Sequence, residues 1–414
     1  MPPWNAQQVF EPTLLPDLSD PDTRDDVAPE DVPVKKRIQP EYQSRGIRAG
    51  SWIFNPTLTG GALYDSNVFS SNSNRQSDVA ARLDANLQAH TLWERHGLDL
   101  QLSSQSMFYR SHPGLDQTDV TFRGNGRFDI RHDIILLTSV QAAYLHEGVG
   151  TVSSPTGAVE PTPYSLFSGD MTLRRESGRV TTSVGARVDS YNFGSTRTQD
   201  GAIINQDARD GQIYTAHGRF DYTFSEKSAW FISVDGNRRD LRGTADQALG
   251  SSGYRALTGF DLQLTHLITA EFGAGYRGQH FSAASIGNID GPAYRARVTW
   301  SPSRRLDIHF NAEQAVTEAS NTTVTGIRAD ALQFGFDYEL RPNVIWSSTA
   351  TYEKDQFKGE DRRDNVYAID TQLRYLLNNI GSMAIWYRYI SRDSSSPGAS
   401  FDKHQVGINA SARF

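Results

Sequence analysis

Cysteine is absent from the 414 residues, which removes disulfide scaffolds, thiolate nucleophiles and Cys-ligated zinc or iron–sulfur centres together. Basic charge is scarce: 41 Lys and Arg stand against 48 Asp and Glu, a net of −7. The chain therefore lacks the basic face that a general nucleic-acid binder needs, and no nucleic acid is expected among its partners. Long apolar runs are missing too. The longest charge-free stretch, Ala49 to Tyr64, has 16 residues and is broken by Pro56 and Gly60-Gly61, short of the roughly 20 a transmembrane helix requires. The start shows no basic segment, apolar core and small-residue cleavage site in succession, so a secretory signal is expected to be absent or already removed.

Residues 1–46 differ from the rest of the chain. They hold eight prolines and an acidic stretch, DLSDPDTRDDVAPEDVP, with no periodicity. Nine acidic against five basic residues give this part −4, leaving −3 for 47–414. It buries too little apolar surface to order itself and is read as a solvated periplasmic leader that also offers a docking segment for a partner.

From Ile47 onward the pattern has period two. Val79, Ala81, Leu83, Ala85, Leu87 and Ala89 alternate with Arg82, Asp84, Asn86, Gln88 and His90, the mark of a strand with one apolar and one polar face. The same reading places strands near 52–64, 78–93, 97–109, 117–130, 134–146, 164–174, 179–192, 211–224 and 228–237. Nine more lie near 252–265, 267–280, 292–300, 305–316, 327–340, 344–352, 365–376, 381–391 and 403–414, which makes eighteen. Short turns such as Arg131-His132-Asp133 and Arg341-Pro342-Asn343 interleave with longer polar loops at 147–163, 193–210, 238–251, 281–291, 353–364 and 392–402. Short turns on one rim, long loops on the other and an even strand count predict an all-β fold, a transmembrane antiparallel up-and-down barrel in the outer membrane of a Gram-negative bacterium.

A soluble sandwich also alternates, so the two faces must decide. One parity carries aromatics near strand ends, among them Trp93, Tyr144, Phe167, Tyr222, Tyr276, Trp300, Trp346 and Tyr375, as the girdles of a membrane barrel require. The other carries charge of both signs. Its arginines are Arg82, Arg123, Arg127, Arg187, Arg219, Arg255, Arg277, Arg295, Arg297, Arg374 and Arg388; its acids include Asp84, Asp189, Asp221, Asp261, Glu271, Asp307, Glu313 and Asp370. A dry core cannot hold so many charges and lipid penalises them, so these nineteen are predicted to line a wet pore. Few charges fall on the outward parity; Arg110, Arg175, Arg238 and Arg328 do, near strand ends. The last strand alternates up to a terminal Phe414, expected to be the signal read by the barrel-assembly machinery.

Two stretches carry a family likeness: Pro56-Thr57-Leu58-Thr59-Gly60-Gly61-Ala62-Leu63-Tyr64-Asp65-Ser66-Asn67-Val68-Phe69, and Tyr375-Leu376-Leu377-Asn378 through Tyr387-Arg388-Tyr389-Ile390-Ser391-Arg392-Asp393-Ser394. They resemble the second β-barrel porin family of Gram-negative envelopes, over most of 47–414. That family is often encoded beside exopolysaccharide synthesis and export machinery, so the resemblance implies a channel, with periplasmic polysaccharide-export proteins as candidate partners. It supplies no catalytic or binding residues.

Other chemistry finds no support. Gly273-Ala274-Gly275-Tyr276-Arg277-Gly278 spells GxGxxG inside a strand and opens no helix. The ten histidines show no HExxH or paired metal spacing, and His90, His217 and His309 are read as polar lining. No catalytic, cofactor or metal site is expected, and a 46-residue leader is too small for the folded plug of a TonB-type receptor; a long loop folding inward, 147–163 or 193–210, is the candidate for narrowing the pore. The leading reading is secretion of a hydrophilic polymer, above all exopolysaccharide. The alternatives are a diffusion porin for small solutes, passive or substrate-specific, and a structural or adhesive barrel.

Overall fold

The computed structural model describes residues 34, 41–42, 44–155, 157–243, 250–282, 287–317 and 326–414. Eighteen long strands form one closed sheet. The first six are β1 (Trp52–Asp65), β2 (Asp78–Thr91), β3 (His96–Tyr109), β4 (Gln117–Arg131), β5 (Ile134–Glu147) and β6 (Thr162–Ser177). Then come β7 (Val180–Phe193), β8 (Gly211–Ser225), β9 (Ser228–Leu241), β10 (Ser251–Thr265), β11 (Ile268–Phe281) and β12 (Ile289–Ser303). The last are β13 (Leu306–Thr317), β14 (Gly326–Arg341), β15 (Val344–Lys358), β16 (Arg363–Leu376), β17 (Gly381–Ser394) and β18 (Phe401–Arg413). Each pairs antiparallel with its sequence neighbours, and β18 returns to β1 from Thr57↔Arg413 to Asp65↔Gln405. All eighteen expected strands are present. No helix among the described residues is long and apolar enough to cross a membrane.

Alternation decides which side faces what. Along β2, Asp78, Ala80 and Arg82 are buried while Val79, Ala81 and Leu83 are exposed. The exposed set around the wall is apolar and aromatic, with Leu83, Met171, Val184, Phe334 and Ile408 at mid-strand and Trp93, Tyr222, Trp300, Trp346 and Tyr375 toward the strand ends. Such a surface is stable only against lipid. Burial here does not mean a hydrocarbon centre: Asp307, Asp355 and Asp364 are as buried as Ile327 and Val366.

Several strands outrun the expected limits. β15 continues to Lys358 rather than 352, and β16 starts at Arg363, so the loop read as 353–364 shrinks to 359–362. The polar run Glu353-Lys354-Asp355 looks like loop, yet Glu353, Asp355 and Phe357 keep the inward parity and are buried. Polarity there reports a wet interior, and no turn interrupts the ladder.

Most of the leader lies outside the described residues. Of its described part, Val34 is buried against Ile345 and Leu376, and its N–H donates to Asp307, all on the inner face beside the short turns. Ile47–Ala49 folds back on Trp52–Phe54 as a short hairpin.

Candidate functional site

On a strand, residues i and i+2 point to the same face, so an arginine followed two positions later by aspartate can fold its guanidinium onto the carboxylate beside it. The wall repeats this device. Arg82 Nε lies 2.8 Å from Asp84, Arg127 Nε 3.1 Å from Asp129, Arg187 Nη2 2.6 Å from Asp189 and Arg219 Nε 2.8 Å from Asp221. The sequence reading collected these charges without noticing the Arg-x-Asp spacing that pairs them. Further round, pairing runs between strands: Arg255 lies 2.9 Å from Asp235 and 3.2 Å from Glu313, and Arg295 bridges Glu313 (3.0 Å) and Glu271 (3.8 Å). Arg388 binds Asp370, and Asp261 stands 3.9 Å from Arg219. Paired charges offset one another's desolvation, which an unpaired charge cannot.

Nine of the nineteen residues singled out for the interior are themselves buried, among them Arg82, Arg187, Asp189 and Asp307. Asp307 accepts from Ser301 Oγ at 2.7 Å, and Arg297 sits opposite Glu271 in the ladder. Among the described residues no carboxylate comes within ion-pair distance of Arg123, Arg277, Arg297 or Arg374. Of the nineteen, these four are the cations without such a partner among the described residues.

The outer half of the bore is narrowed by loop 148–161. Val152 joins Ile327, Phe357, Val366, Ala368, Ile390 and Phe401, contributed by β14 to β18 on the far wall. Arg392 holds the loop there, its Nη1 donating to the carbonyls of Gly150 (3.2 Å) and Thr151 (3.4 Å) while its Nε donates to Ala399 (2.7 Å). The base of the loop is tied to loop 194–210. Arg209 forks onto Glu147 at 2.8 and 2.6 Å and stacks on Phe193, and Val159 N–H donates to Arg197. Of the two loops named for an inward role, 148–161 crosses the bore and 194–210 braces it.

Beneath the loop is a cavity of about 680 Å³. Of the predicted residues, Asp84, Arg123, Arg187, Asp189, Arg255, Arg277 and Glu313 line it. Lining residues missed by the sequence reading include Asp119, His146, Glu147, Arg209, Arg239 and Glu353. Arg209 was hidden in a loop, and Glu353 lay beyond an underestimated strand end.

One cluster among the described residues superficially resembles a catalytic set. Thr172, Asp170 and His217 meet on the wall, with Thr172 Oγ1 donating to Asp170 at 3.0 Å and so accepting from His217 Nε2 at 2.9 Å. In that direction the histidine is a donor, where a nucleophile's base must accept. The hydroxyl is also wholly buried, and a Cβ at Gly185 would stand 2.4 Å from the imidazole. The group is structural. No cluster of three or more metal-ligating side chains occurs among the described residues.

The family model described as "putative beta-barrel porin 2" matches residues 39–414. The chain belongs to this family. The porin is also similar to solved structures from Pseudomonas aeruginosa. OccK2 (OpdF) is 11% identical with a TM-score of 0.47, over 88% of this chain and 98% of that one. OpdK, solved with vanillate, is 10% identical with a TM-score of 0.47, over 87% and 99%. The siderophore receptor PirA of Acinetobacter baumannii is 8% identical with a TM-score of 0.45, over 86% and 80%. These likenesses concern the fold alone. No curated protein sequence matches the porin.

Proposed function

We propose that this outer-membrane porin is a diffusion channel for small hydrophilic solutes, with the nineteen inward charges lining the path. A channel of eighteen strands is wide enough to conduct water-borne solutes unless its own loops narrow it. The observation that carries the reading is loop 148–161, fastened across the bore by Val152 and Arg392 above a charged cavity. A narrow, polar cavity selects by size and weak charge contacts, and conduction requires contacts weak enough to release. Because most wall charges are paired, ion selectivity is expected to be slight, with an anion preference contributed by Arg123 and Arg277. Nothing in this wall calls for catalysis, and we read the porin as a channel and not an enzyme.

Exopolysaccharide secretion is the second reading. It is favoured by the family resemblance and by an interior that mixes Arg, Asp and aromatic groups, which suits repeated weak contacts along a sugar chain. It requires loop 148–161 to leave its seat. Periplasmic export proteins would then be the partners at the short-turn rim. Purified protein in planar bilayers separates the two readings: small discrete conductances with slight anion preference support solute diffusion. A sealed pore, together with loss of surface polymer on gene deletion, would overturn it in favour of secretion.

A further inference from the structure

Among the described residues, one pair of neighbouring strands parts earlier at the outer rim than the others. β12 and β13 pair from Ser303↔Leu306 to Arg295↔Glu313 and, among the described residues, no further. Yet β12 stays on β11 as far as Ile289, and β13 stays on β14 as far as Thr317. Among the described residues, none pairs with 289–294 of β12 on this edge.

The end of β13 has gone inward. Val316 packs on Phe281 and Ile289, which have the inward parity of β11 and β12, and its carbonyl accepts from Arg239 Nη2 at 3.2 Å. Arg239 stands on β9, four strands away, about 19 Å of wall at roughly 4.8 Å per strand. A single side chain cannot bridge that arc while β13 remains in the wall. Gly326, at the start of β14, also sits against Phe281 and Ile289.

The residues around the gap suit this arrangement. Pro292 lies on this edge, where a missing N–H costs no ladder bond. Gln314, Arg328 and Asp330 have the outward parity, which on an intact wall would set an ion pair against the membrane. Tucked in, Gln314 is 1% exposed and donates to Asp330 at 2.6 Å, Arg328 Nε lies 3.4 Å from Asp330, and the Tyr294 hydroxyl reaches across the gap to Asp330 at 3.1 Å.

We propose that the outer ends of β13 and β14 form a gate with two seats. The inward seat is the one seen here, in which Ala315 and Val316 line the cavity and narrow it. In the outward seat the existing register continues, Tyr294 opposite Gln314 and Ala293 opposite Ala315, which completes the wall and widens the bore. Each seat has its own cost. Inward leaves backbone groups of β12 without ladder partners, expensive wherever lipid reaches them, and outward turns Arg328 and Asp330 toward the membrane, so the two states compete. This rests on the channel reading, but the position of β13 can be measured without conduction.

The natural absence of cysteine makes the test clean. Ile289→Cys with Val316→Cys links the inward seat, and Ala293→Cys with Ala315→Cys links the outward one. Assembly of each reduced variant is checked by heat-modifiable migration, with Phe281→Cys and Val316→Cys as the substitute inward pair. Both pairs are expected to crosslink on oxidation, the first holding conductance at a low level and the second at least threefold higher, each reversed by reductant. Failure of either pair to crosslink, or crosslinking of both with conductance unchanged, overturns the gate. A wild-type protein without conductance whose two pairs still crosslink would sink the channel reading and leave the two seats standing.

Discussion

At the scale of single residues, position on the wall outweighs chemical type. Leu83 faces outward at 49% exposure, and Leu83→Arg places a guanidinium against lipid at a cost of about 2–4 kcal/mol; heat-modifiable migration is expected to show failed or destabilised assembly. Arg123→Ser, on the inward face and free of ion-pair partners among the described residues, is expected to assemble normally and move the reversal potential toward cations. Arg187→Ser differs because it strands the buried Asp189, whose loss of partner costs on the order of 3–5 kcal/mol. Its unfolding temperature is expected to fall clearly below that of Arg123→Ser, while selectivity moves the same way. Equal damage from Leu83→Arg and Arg123→Ser would mean the two faces are assigned the wrong way round.

At the scale of elements, the strands are held by their ladders and loop 148–161 by a handful of anchors. Val152→Ser takes away the apolar side chain that seats the loop and buries a hydroxyl in its cluster, which costs about 1–3 kcal/mol. The ladder bonds of β14 to β18 do not depend on that residue. The variant is therefore expected to assemble like the wild type and to show a severalfold higher single-channel conductance as the loop leaves its seat. An unchanged conductance would show that the loop does not limit the pore. The eighteen strands themselves were legible because period two persists for a dozen residues at a time. Their outer ends were not, because alternation that is polar on both faces, as in Glu353-Lys354-Asp355, looks like loop until neighbouring strands are seen to pair with it.

At the scale of the whole molecule, closure is the decisive event. β18 meets β1 in nine paired positions, Thr59 and Ser411 share a hydrogen bond of 2.7 Å, and the Phe414 N–H donates to Pro56 at 3.0 Å. The Phe414 side chain remains 52% exposed on the outer face, free to be recognised before closure. Deleting Phe414 removes little contact from the finished barrel and, if the residue is the assembly signal, is expected to lower the yield of membrane-inserted protein without lowering the unfolding temperature of the fraction that inserts. Loss of stability with normal yield would make Phe414 a structural end-cap.

The sequence by itself determined the class of fold and the number of strands, because a two-residue period admits only two faces and only one of them tolerates lipid. Arg328 already stood out as a charge on the outward parity. Its explanation, with Gln314 and Asp330 beside it, lay in the departure of β13 from the wall, and the contact between Val152 and residues from Ile327 to Phe401, far along the chain, was equally invisible. Periodicity is a local property, whereas where a loop lands and where a ladder stops depend on distances across the bore, which exist only once the cylinder has closed.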